Sequence, residues 1–452
     1  MHADPREAID FLEQNPDVEA IHIVITDANG VGRGKSIARD ELLPLYRSGR
    51  NVAGSILGLD VTGEDVEETG LVWSAGDADK VCWPVAGTLA RAPWQSRPTA
   101  QLLMTMHEAD GTPAIADPRH VLARVIARLR ADGYHPVVAA ELEFYLVERD
   151  GAGIVPARGL LSGTRPVRTD SYALDKLDEM APLFDDVYAA ARAQGLPART
   201  LMSEYAPGQF EVTLEHRSDA LRAADEAILW KRVVRGVAAR HGRAATFMAK
   251  PFAQQAGSGF HIHVSLAGPE GQNLFASDDP AGTPLLRQAI GGLRAAAAES
   301  MAVFAPNANS YRRFRRLSYA PVAPTWGINN RSVGFRIPAG PPPSRHVEHR
   351  LGGADANPYL AIAAVLAAMH LGIRERLDPG PPVLGNGYEQ TAVGELPTHW
   401  FAALDRLADS GVIDEAFGSD FVKVFMALKR SECERFFAQP TELDYTWYLS
   451  QA

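Results

Sequence analysis

The sequence predicts an α+β protein with two parts, a small β-rich N-terminal domain and a much larger mixed domain. The chain has 452 residues, which is enough for two domains. Its first 110 or so residues hold short strand patterns between turns. A helix pattern then begins, and strands and helices alternate irregularly to the end without an internal repeat. We place the domains at residues 1–112 and 113–452.

The N-terminal domain is predicted from short helix and strand patterns that are separated by turns. Residues 7–15 have the pattern of a short helix, and AIHIVITDANG (20–30) that of a strand that ends in an Asn-Gly turn. The segment QLLMTMHEADGTP (101–113) is typical of a further strand followed by a turn. These segments favour a compact β-rich unit.

The second domain is predicted to begin with a helix that leads directly into a buried strand. Residues 116–134 have apolar side chains at helical spacing, with Asp117 as N-cap, Pro118 at the first helical position and Gly133 as the stop. The strand follows as VVAAELEFYLVE, 137–148. Its apolar residues on both faces indicate a strand that is covered on both sides.

Two later segments complete the outline of the second domain. Residues 150–175 are rich in Gly, Pro and polar residues and predict a mobile insertion. The apolar run YLAIAAVLAAMHLGI, 359–373, is shorter than the ~20 residues that span a bilayer and contains His370. It therefore predicts a buried helix rather than a membrane span.

The composition is that of an ordinary globular protein. Hydrophobic residues make up 46% and charged residues 22% of the chain, and the formal net charge is −10. This charge argues against a general nucleic-acid binder. Cys82 and Cys433, the only cysteines, predict neither a disulfide framework nor a zinc site. The N-terminus lacks an apolar signal core, so we expect a cytoplasmic protein without a membrane partner.

The strand at 137–148 raises the first question about chemistry. Glu141 and Glu143 are two positions apart, so their side chains point to the same face at roughly 6.5–7 Å from each other. Burying unpaired carboxylates is costly, and each must be neutralised or paired with a cation. The pair therefore predicts a cation in the same pocket.

Two more segments carry groups that can hold metals. In SEYAPGQFEVTLEH, Glu204 and Glu211 flank a Pro-Gly turn that could bring them together, although exposed glutamates beside turns are common. In GSGFHIHVSL, His261, His263 and Ser265 share one strand face behind a glycine turn. A single strand histidine is more often a satisfied core residue. Because two histidines share this face, a metal or phosphate site is about as consistent with the pattern as a pair of core histidines.

Arginines are concentrated between residues 312 and 350. Eight of them occur there, and Glu348 is the only acid in the window. Because the guanidinium group matches carboxylates and phosphates, this region predicts contact with an anion. Alternation with apolar residues favours pocket walls and small anions over nucleic acid or scattered surface charge. Five glutamates with a histidine then indicate Mg²⁺ or Mn²⁺, two ions per site, and chemistry of the phosphoryl-transfer class.

The motifs ELEFYL, EYAPGQFE, GSGFHIHVSL, NSYRRF, NNRSVGFRIP, VEHRLGGADANPYLA and ELDYTWYL resemble those of the glutamine synthetase family, type I, in the family's order. The resemblance covers essentially the whole chain. It implies an N-terminal β-grasp domain and a catalytic domain with a curved antiparallel sheet. It also implies a homo-oligomer, either a six-membered ring or two stacked rings, with active sites between neighbouring subunits.

The resemblance assigns roles to individual residues. One of two or three Mg²⁺ or Mn²⁺ ions per site would be held by Glu143, Glu204 and Glu211, and another by Glu141, His261 and Glu348. ATP is the implied co-substrate and L-glutamate the implied acid substrate, with γ-glutamyl phosphate as the intermediate. The implied glutamate contacts are Gly257, Arg313, Arg331 and Arg350, with Arg313 and Arg331 also catalytic, and the implied ATP contacts are His263, Ser265 and Arg336.

Departures from the family pattern suggest a changed nitrogen substrate. The family's Gly-Tyr-Glu-Ala-Pro loop reads LSYAPVAPTW here, with Tyr319 in place of the glutamate that takes a proton from ammonium. The acid that helps bind ammonium is missing from NVAGSI, 51–56. Ala256 and His346 replace a family asparagine and arginine. We therefore predict a ligase that joins glutamate to an amine, such as a polyamine, an alkylamine, a hydroxyalkylamine or an aromatic monoamine.

Details of the amine site and several alternatives stay open at this level. Tyr319 and Trp326 could form a wall for the amine, and the acidic run DVTGEDVEE, 60–68, could receive its distal charge. The alternatives are a true glutamine synthetase that uses ammonia, a ligase for another acid, and an inactive relative with a scaffold or regulatory role. The context of Tyr388 matches the family's adenylylated tyrosine poorly, so no such regulation is predicted.

Overall fold

The computed structural model describes residues 3–390 and 394–452. The described part contains helices and strands along its whole length. The helices are α1 (Pro5–Gln14), α2 (Leu42–Ser48), α3 (Pro118–Ala131), α4 (Leu174–Glu179), α5 (Ala181–Ala193), α6 (Ala220–Arg240), α7 (Pro284–Ala295), α8 (Met301–Phe304), α9 (Pro358–Arg374), α10 (Trp400–Ala408), α11 (Gly411–Phe417), α12 (Ser419–Phe437) and α13 (Glu442–Tyr448). The strands are β1 (Ala20–Thr26), β2 (Gly32–Ala38), β3 (Arg50–Ala53), β4 (Asp79–Pro84), β5 (Ala90–Arg91), β6 (Thr99–His107), β7 (His135–Asp150), β8 (Gly153–Pro156), β9 (Ala198–Ser203), β10 (Gln209–Leu214), β11 (Ala244–Thr246), β12 (Phe260–Ala267), β13 (Trp326–Ile328), β14 (Phe335–Ile337) and β15 (Val347–His349).

The N-terminal part of the chain forms a six-stranded mixed sheet. Its strand order is β2-β1-β6-β4-β3, with β5 also paired to β6. The β1–β6 pair is parallel and the remaining pairs are antiparallel. This arrangement agrees with the predicted β-grasp type. The exact boundary at residue 112 remains a prediction.

The second part is organised by a nine-stranded sheet. Its order is β13-β14-β15-β12-β7-β10-β9, and β8 and β11 also pair with β7. All of these pairs are antiparallel except β13–β14. The predicted curved antiparallel sheet is thus present, with one parallel pair at its edge. Strand β7 lies between β10 and β12, so that its two glutamates are at the centre of the sheet.

Helix α9 is the buried helix that the apolar run predicts. Asn357 caps its N-terminus by accepting hydrogen bonds from the backbone N–H groups of Tyr359 and Leu360, at 2.9 and 3.4 Å. It packs against α3, α6 and α7. No helix in the described ranges is both long enough and apolar enough to cross a membrane.

The same asparagine joins the two parts of the chain. Its side-chain amide donates a hydrogen bond of 2.9 Å to the carbonyl of Asp27, in the turn after β1. In that turn the Asn29 amide donates to Glu432 of α12 at 2.7 Å, and Lys429 pairs with Glu432 at 2.9 Å. These groups are buried or half-buried, which fixes the position of the N-terminal sheet relative to the helices.

The predicted elements match the structure closely where the periodicity is strong. The helix predicted at 116–134 is α3, with Asp117 as its N-cap and Gly133 in a left-handed conformation at φ 82°. The strand predicted at 137–148 lies within β7. The segment 150–175 holds the short strand β8 and then irregular structure as far as α4.

Candidate active site

A cavity of about 390 Å³ opens beside the centre of the large sheet. All of the residues predicted for metals and glutamate line it, together with Tyr319, predicted for the amine, and Arg336, predicted for ATP. They are Glu141, Glu143, Glu204, Glu211, Gly257, His261, Arg313, Tyr319, Arg331, Arg336, Glu348 and Arg350.

The register of the sheet explains why these side chains meet. Glu143 on β7 lies directly opposite Glu211 on β10, and Glu141 lies opposite His261 on β12. On the far side of β12, His263 is opposite Glu348 on β15. Since residues two apart on a strand share a face, the three strand pairings bring all of these groups to one side of the sheet.

Three glutamates form the first cluster. One carboxylate oxygen each from Glu143, Glu204 and Glu211 lies within 4.8 Å of the other two. Burial and the charge of Glu204 raise the pKa of Glu143 to about 8. Burial and the charge of Glu141 raise the pKa of Glu211 to about 12. Carboxyl groups with such raised pKa values lack compensating positive charge, which a bound cation would supply.

The second cluster adds two imidazoles. Nδ1 of His261 lies 2.5 Å from Oε1 of Glu141 and 3.8 Å from Oε1 of Glu348, and Nε2 of His263 lies 3.2 Å from Oε2 of Glu141. Burial opposes ionisation of Glu141, but the two histidines outweigh it and hold its pKa well below its ordinary value. His263 was predicted as an ATP contact, and the structure groups it with Glu141 and Glu348 as a possible metal ligand.

The donor atoms fit magnesium or manganese ions. Carboxylate oxygens with one or two imidazoles are the ligands that these hard cations accept. The two clusters share acids, because the possible ligand groups include both Glu141–Glu211–His261 and Glu143–Glu204–Glu211. Two divalent ions would carry +4 against the −5 of five ionised glutamates. The residues present therefore fit a pair of neighbouring ions.

The four arginines of the cavity fall into two groups. Arg336 donates a hydrogen bond of 2.7 Å to Glu348, and Arg350 donates a second one to the same carboxylate. Although burial raises the pKa of Glu348, Arg350 and the neighbouring histidines lower it to about 2. Arg313 is bonded to the carbonyls of Leu351 and Arg350 at 3.1 and 3.3 Å. Neither Arg313 nor Arg331 has an acidic partner among residues 3–390 and 394–452, so both remain available for an anion.

Glycines allow the loop before β12 to pass close to these groups. A Cβ atom on Gly257 would meet the carbonyl oxygen of Ala249 and Cγ of Arg313, both at 2.7 Å. On Gly259 it would meet Nε2 of His261 at 2.7 Å. Larger residues would therefore displace the arginine or the histidine.

Three predicted residues are absent from the cavity lining: His263, which faces Glu141 and His346, Trp326 and Ser265. Trp326 is 2% exposed, and its indole N–H donates to the carbonyl of Gly380 at 3.0 Å. The prediction that it forms a wall for the amine is therefore corrected, since its ring is packed in the core. Ser265 lies further along β12, opposite Val137 and beyond the cavity lining.

The acidic run at 60–68 and Tyr388 are engaged within the chain. Asp60 is buried and paired with Arg435, and Glu67 accepts hydrogen bonds from the backbone of Trp73 and Ser74, both at 2.9 Å. Tyr388 is 5% exposed, and its hydroxyl donates to the carbonyl of Ala320 at 3.1 Å.

Several residues of the lining were not predicted from the sequence. Gln209 donates to Glu143 at 3.2 Å and to the carbonyl of Gly257 at 3.0 Å, which its place inside the EYAPGQFE motif could have indicated. Tyr172 and Tyr205 also line the cavity and are exposed at 69% and 51%. Tyr172 and Tyr319 both have left-handed backbones, with φ of 59° and 58°. Such conformations are uncommon outside glycine and often occur at functional sites.

Comparison with protein families shows one match over most of the chain. Residues 115–448 match the model of the glutamine synthetase catalytic domain. The chain is 38% identical over 445 residues to a γ-glutamylputrescine synthetase of Escherichia coli (strain K12), covering 98% of this chain and 94% of that protein. It is 33% identical to a glutamate–isopropylamine ligase of Pseudomonas sp, with 93% and 92% covered. A glutamine synthetase of Thermotoga maritima is 30% identical, with 98% and 99% covered.

Solved structures show the same similarity. A GmaS–ADP complex superposes with a TM-score of 0.85 at 29% identity, covering 97% of this chain and 98% of that chain. GmaS without ligand gives a TM-score of 0.84 at 30% identity, with the same coverage.

Proposed function

The chain belongs to the glutamine synthetase family, and we propose that it is an ATP-dependent ligase that joins the γ-carboxylate of L-glutamate to an amine. The observation that carries this proposal is the pairing of two acidic clusters with Arg313 and Arg331, for which the described residues provide no acidic partner. Such a cavity suits a phosphorylated anionic substrate. Relatives that are named for putrescine and isopropylamine support an organic amine as the nitrogen substrate.

The proposed reaction has two steps. The γ-carboxylate oxygen of glutamate attacks the terminal phosphorus of ATP, which forms γ-glutamyl phosphate and releases ADP. The amine nitrogen then attacks the acyl carbon, so that a C–N bond forms, the C–O bond to phosphate breaks and the amine loses a proton. Divalent cations held by the acidic clusters would supply positive charge to the phosphates during transfer.

The chain's own residues bind and orient the reactants in this proposal. Gly257, Arg313 and Arg350 would hold glutamate, and Arg331 would face the transferred phosphate. Arg336, His263 and Ser265 were expected to contact ATP. Since Arg336 and Arg350 are already bonded to Glu348, we assign the main catalytic charge to Arg313 and Arg331. The Arg313 guanidinium is held by the carbonyls of Leu351 and Arg350, and a group fixed in this way stabilises developing charge without having to reorganise.

The mouth of the cavity supports an amine rather than ammonia. Its acidic lining residues are the five glutamates of the two clusters, and all five serve the cation sites. At the position where the family has a glutamate that takes a proton from ammonium, the exposed phenol of Tyr319 stands instead. With Tyr172 and Tyr205 it forms an aromatic rim. Aromatic faces bind alkyl groups and also bind distal ammonium groups by cation–π contact.

A substrate panel tests the proposal. The purified protein is incubated with ATP, L-glutamate and Mg²⁺, and with ammonia, putrescine, ethanolamine, isopropylamine, butylamine or benzylamine, and phosphate and the amide product are measured. We expect kcat/KM for at least one organic amine to exceed the value for ammonia. The highest kcat/KM with ammonia would identify a true glutamine synthetase. No product with any nitrogen source would favour a scaffold or regulatory role.

We also propose that the protein acts as a homo-oligomer, a hexameric ring or two stacked rings, in the cytoplasm. The exposed apolar side chains of helix α13, including Leu443, Tyr445 and Trp447, are suited to contacts between copies. Sedimentation equilibrium tests the assembly, because a ring predicts a mass of six or twelve chains.

A further inference from the structure

A second cavity of about 500 Å³ adjoins the candidate active site. The two cavities share four lining residues, Tyr205, Ala256, Ser318 and Tyr319. Their boundary is therefore formed by Ser318 and Tyr319 of one loop together with Tyr205 and the small side chain of Ala256. A molecule in the second cavity could pass this boundary to reach the acidic clusters.

The second cavity is strongly basic, although the whole chain has a formal net charge of −10. Lys250, Arg315 and Arg316 line it, and no aspartate or glutamate among residues 3–390 and 394–452 does so. The nearest polar contacts of two of these cations are carbonyl groups. Lys250 donates to the carbonyl of Gln255, and Arg315 to that of Ala253 at 3.0 Å. None of the three cations has an acidic partner within the described ranges.

Two cations of this cavity, Lys250 and Arg315, repel each other and are held by backbone carbonyl groups. Lys250 is 6% exposed, and burial together with the charges of Arg315 and Arg313 lowers its pKa. Ser318 donates to the carbonyl of Arg315 at 2.6 Å, and Tyr388 anchors the same loop at Ala320. Cations that are fixed side by side without counter-charges form a site that attracts anions.

We propose that this cavity is an anion-binding vestibule, which binds the carboxylates of L-glutamate before the substrate reaches the metal clusters. The choice of glutamate as ligand rests on the proposed function, whereas the anionic class of the ligand rests on the charge of the cavity alone. Beyond the residues that the two cavities share lies Arg313, which lines the predicted glutamate site and has no acidic partner in the part of the chain that the structure describes.

The substitution Arg316→Gln tests the vestibule with little risk to folding. The Arg316 side chain is exposed and has no hydrogen bond or ion pair in the described structure. Arg312→Gln is the matched control, because it removes the same charge four residues away, where the guanidinium packs over the ring of Phe436 at 5.9 Å outside both cavities. A double variant, Arg315→Gln with Arg316→Gln, removes two of the three cations and should weaken glutamate binding further.

Binding of L-glutamate is measured by calorimetry at low and at high salt, and KM values are measured for all substrates. For Arg316→Gln we expect Kd and KM for glutamate to rise about two- to threefold, and for the double variant about five- to tenfold, because positive charge is removed from the cavity. These values apply at low salt, since salt screens surface charges. The increase should shrink at high salt, while kcat and the KM for ATP stay constant and Arg312→Gln behaves as wild type.

Kd and KM values equal to those of the Arg312→Gln control in both variants would overturn the vestibule. That result is distinct from failure of the proposed function, in which the wild-type protein forms no amide from glutamate. If glutamate binding weakens in the variants but the wild-type protein makes no product, the result supports the vestibule and contradicts the proposed reaction.

Discussion

Glu211 lies directly opposite Glu143 across the β7–β10 pair. Burial raises the pKa of both carboxyl groups, and so does repulsion, mainly from Glu204 for Glu143 and from Glu141 for Glu211. Two acids that face each other in a buried cavity cannot both ionise cheaply without a cation. The metal-free protein therefore holds protons at sites where the loaded protein would hold metal.

Stability of the metal-free protein should fall as the pH rises through about 8, the folded-state pKa of Glu143. Because that pKa is raised above its ordinary value, the folded state binds more protons than the unfolded state, and the stabilisation is lost as the pH rises. Melting temperatures in EDTA between pH 6 and 9 should therefore decline, and Mg²⁺ should raise them most at high pH. The variant Glu143→Gln should flatten the decline. If the melting temperature declined equally with pH in the presence and absence of Mg²⁺, the result would contradict the cation site.

The variant Glu348→Gln should be both inactive and unstable. Its carboxylate accepts hydrogen bonds from Arg336 and Arg350, and without its charge two buried guanidinium groups lose their counter-ion. We expect a loss of about 3–5 kcal/mol in the free energy of unfolding, measured in denaturant without metal.

Glu204→Gln is the matched control, because within the described residues the Glu204 side chain accepts a hydrogen bond only from the backbone N–H of Tyr205. It should abolish activity and change stability by less than about 1 kcal/mol. Equal stability of the two variants would contradict the structural role of Glu348.

Replacing Tyr319 by glutamate should shift the nitrogen preference towards ammonia. The side chain at this position lines the cavity mouth and is 61% exposed, so the substitution does not disturb the core. A carboxylate there would attract ammonium and accept its proton. The ratio of kcat/KM for ammonia to that for the best amine should rise about tenfold, which corresponds to ~1.4 kcal/mol. The control Tyr319→Phe keeps the ring and should leave the ratio near wild type; a rise of equal size in that control would exclude the charge as the cause.

Tyr388→Phe should loosen the Tyr319 loop. The Tyr388 hydroxyl holds the Ala320 carbonyl, next to Tyr319, and its removal leaves that acceptor without this partner. We expect a loss of about 1 kcal/mol in unfolding free energy and a higher KM for the amine, with an unchanged KM for ATP. Tyr188→Phe removes a longer bond of 3.4 Å to the carbonyl of Arg199, which is outside the cavity, and serves as the control. An unchanged amine KM in Tyr388→Phe would show that the loop is held by other contacts.

The central part of the site could be predicted from sequence because strand periodicity is a strong signal. Alternation alone placed Glu141 and Glu143 on one face, and it also placed His261 and His263 together. The pairing of β7 with β10 and β12 could not be derived from spacing, since register depends on contacts between distant segments. For this reason the grouping of His263 with Glu141 became visible only in the structure.

Positions outside regular elements were harder to predict. Trp326 belongs to a three-residue strand, and its burial depends on Gly380, more than fifty positions away. Tyr172 lies in an irregular segment and has a left-handed backbone. No residue pattern predicts this conformation for a tyrosine. The basic vestibule was hidden as well, because the arginine-rich window did not show which of its members lack an acidic partner.

The most direct test of the account is a crystal structure of the protein with Mn²⁺, examined by anomalous diffraction at the manganese edge. Two neighbouring anomalous peaks are expected in the cavity, one among Glu143, Glu204 and Glu211 and the other beside Glu141, His261 and Glu348. Electron density for the cavity without an anomalous peak, under conditions in which the protein is active, would contradict the acidic clusters as the cation site.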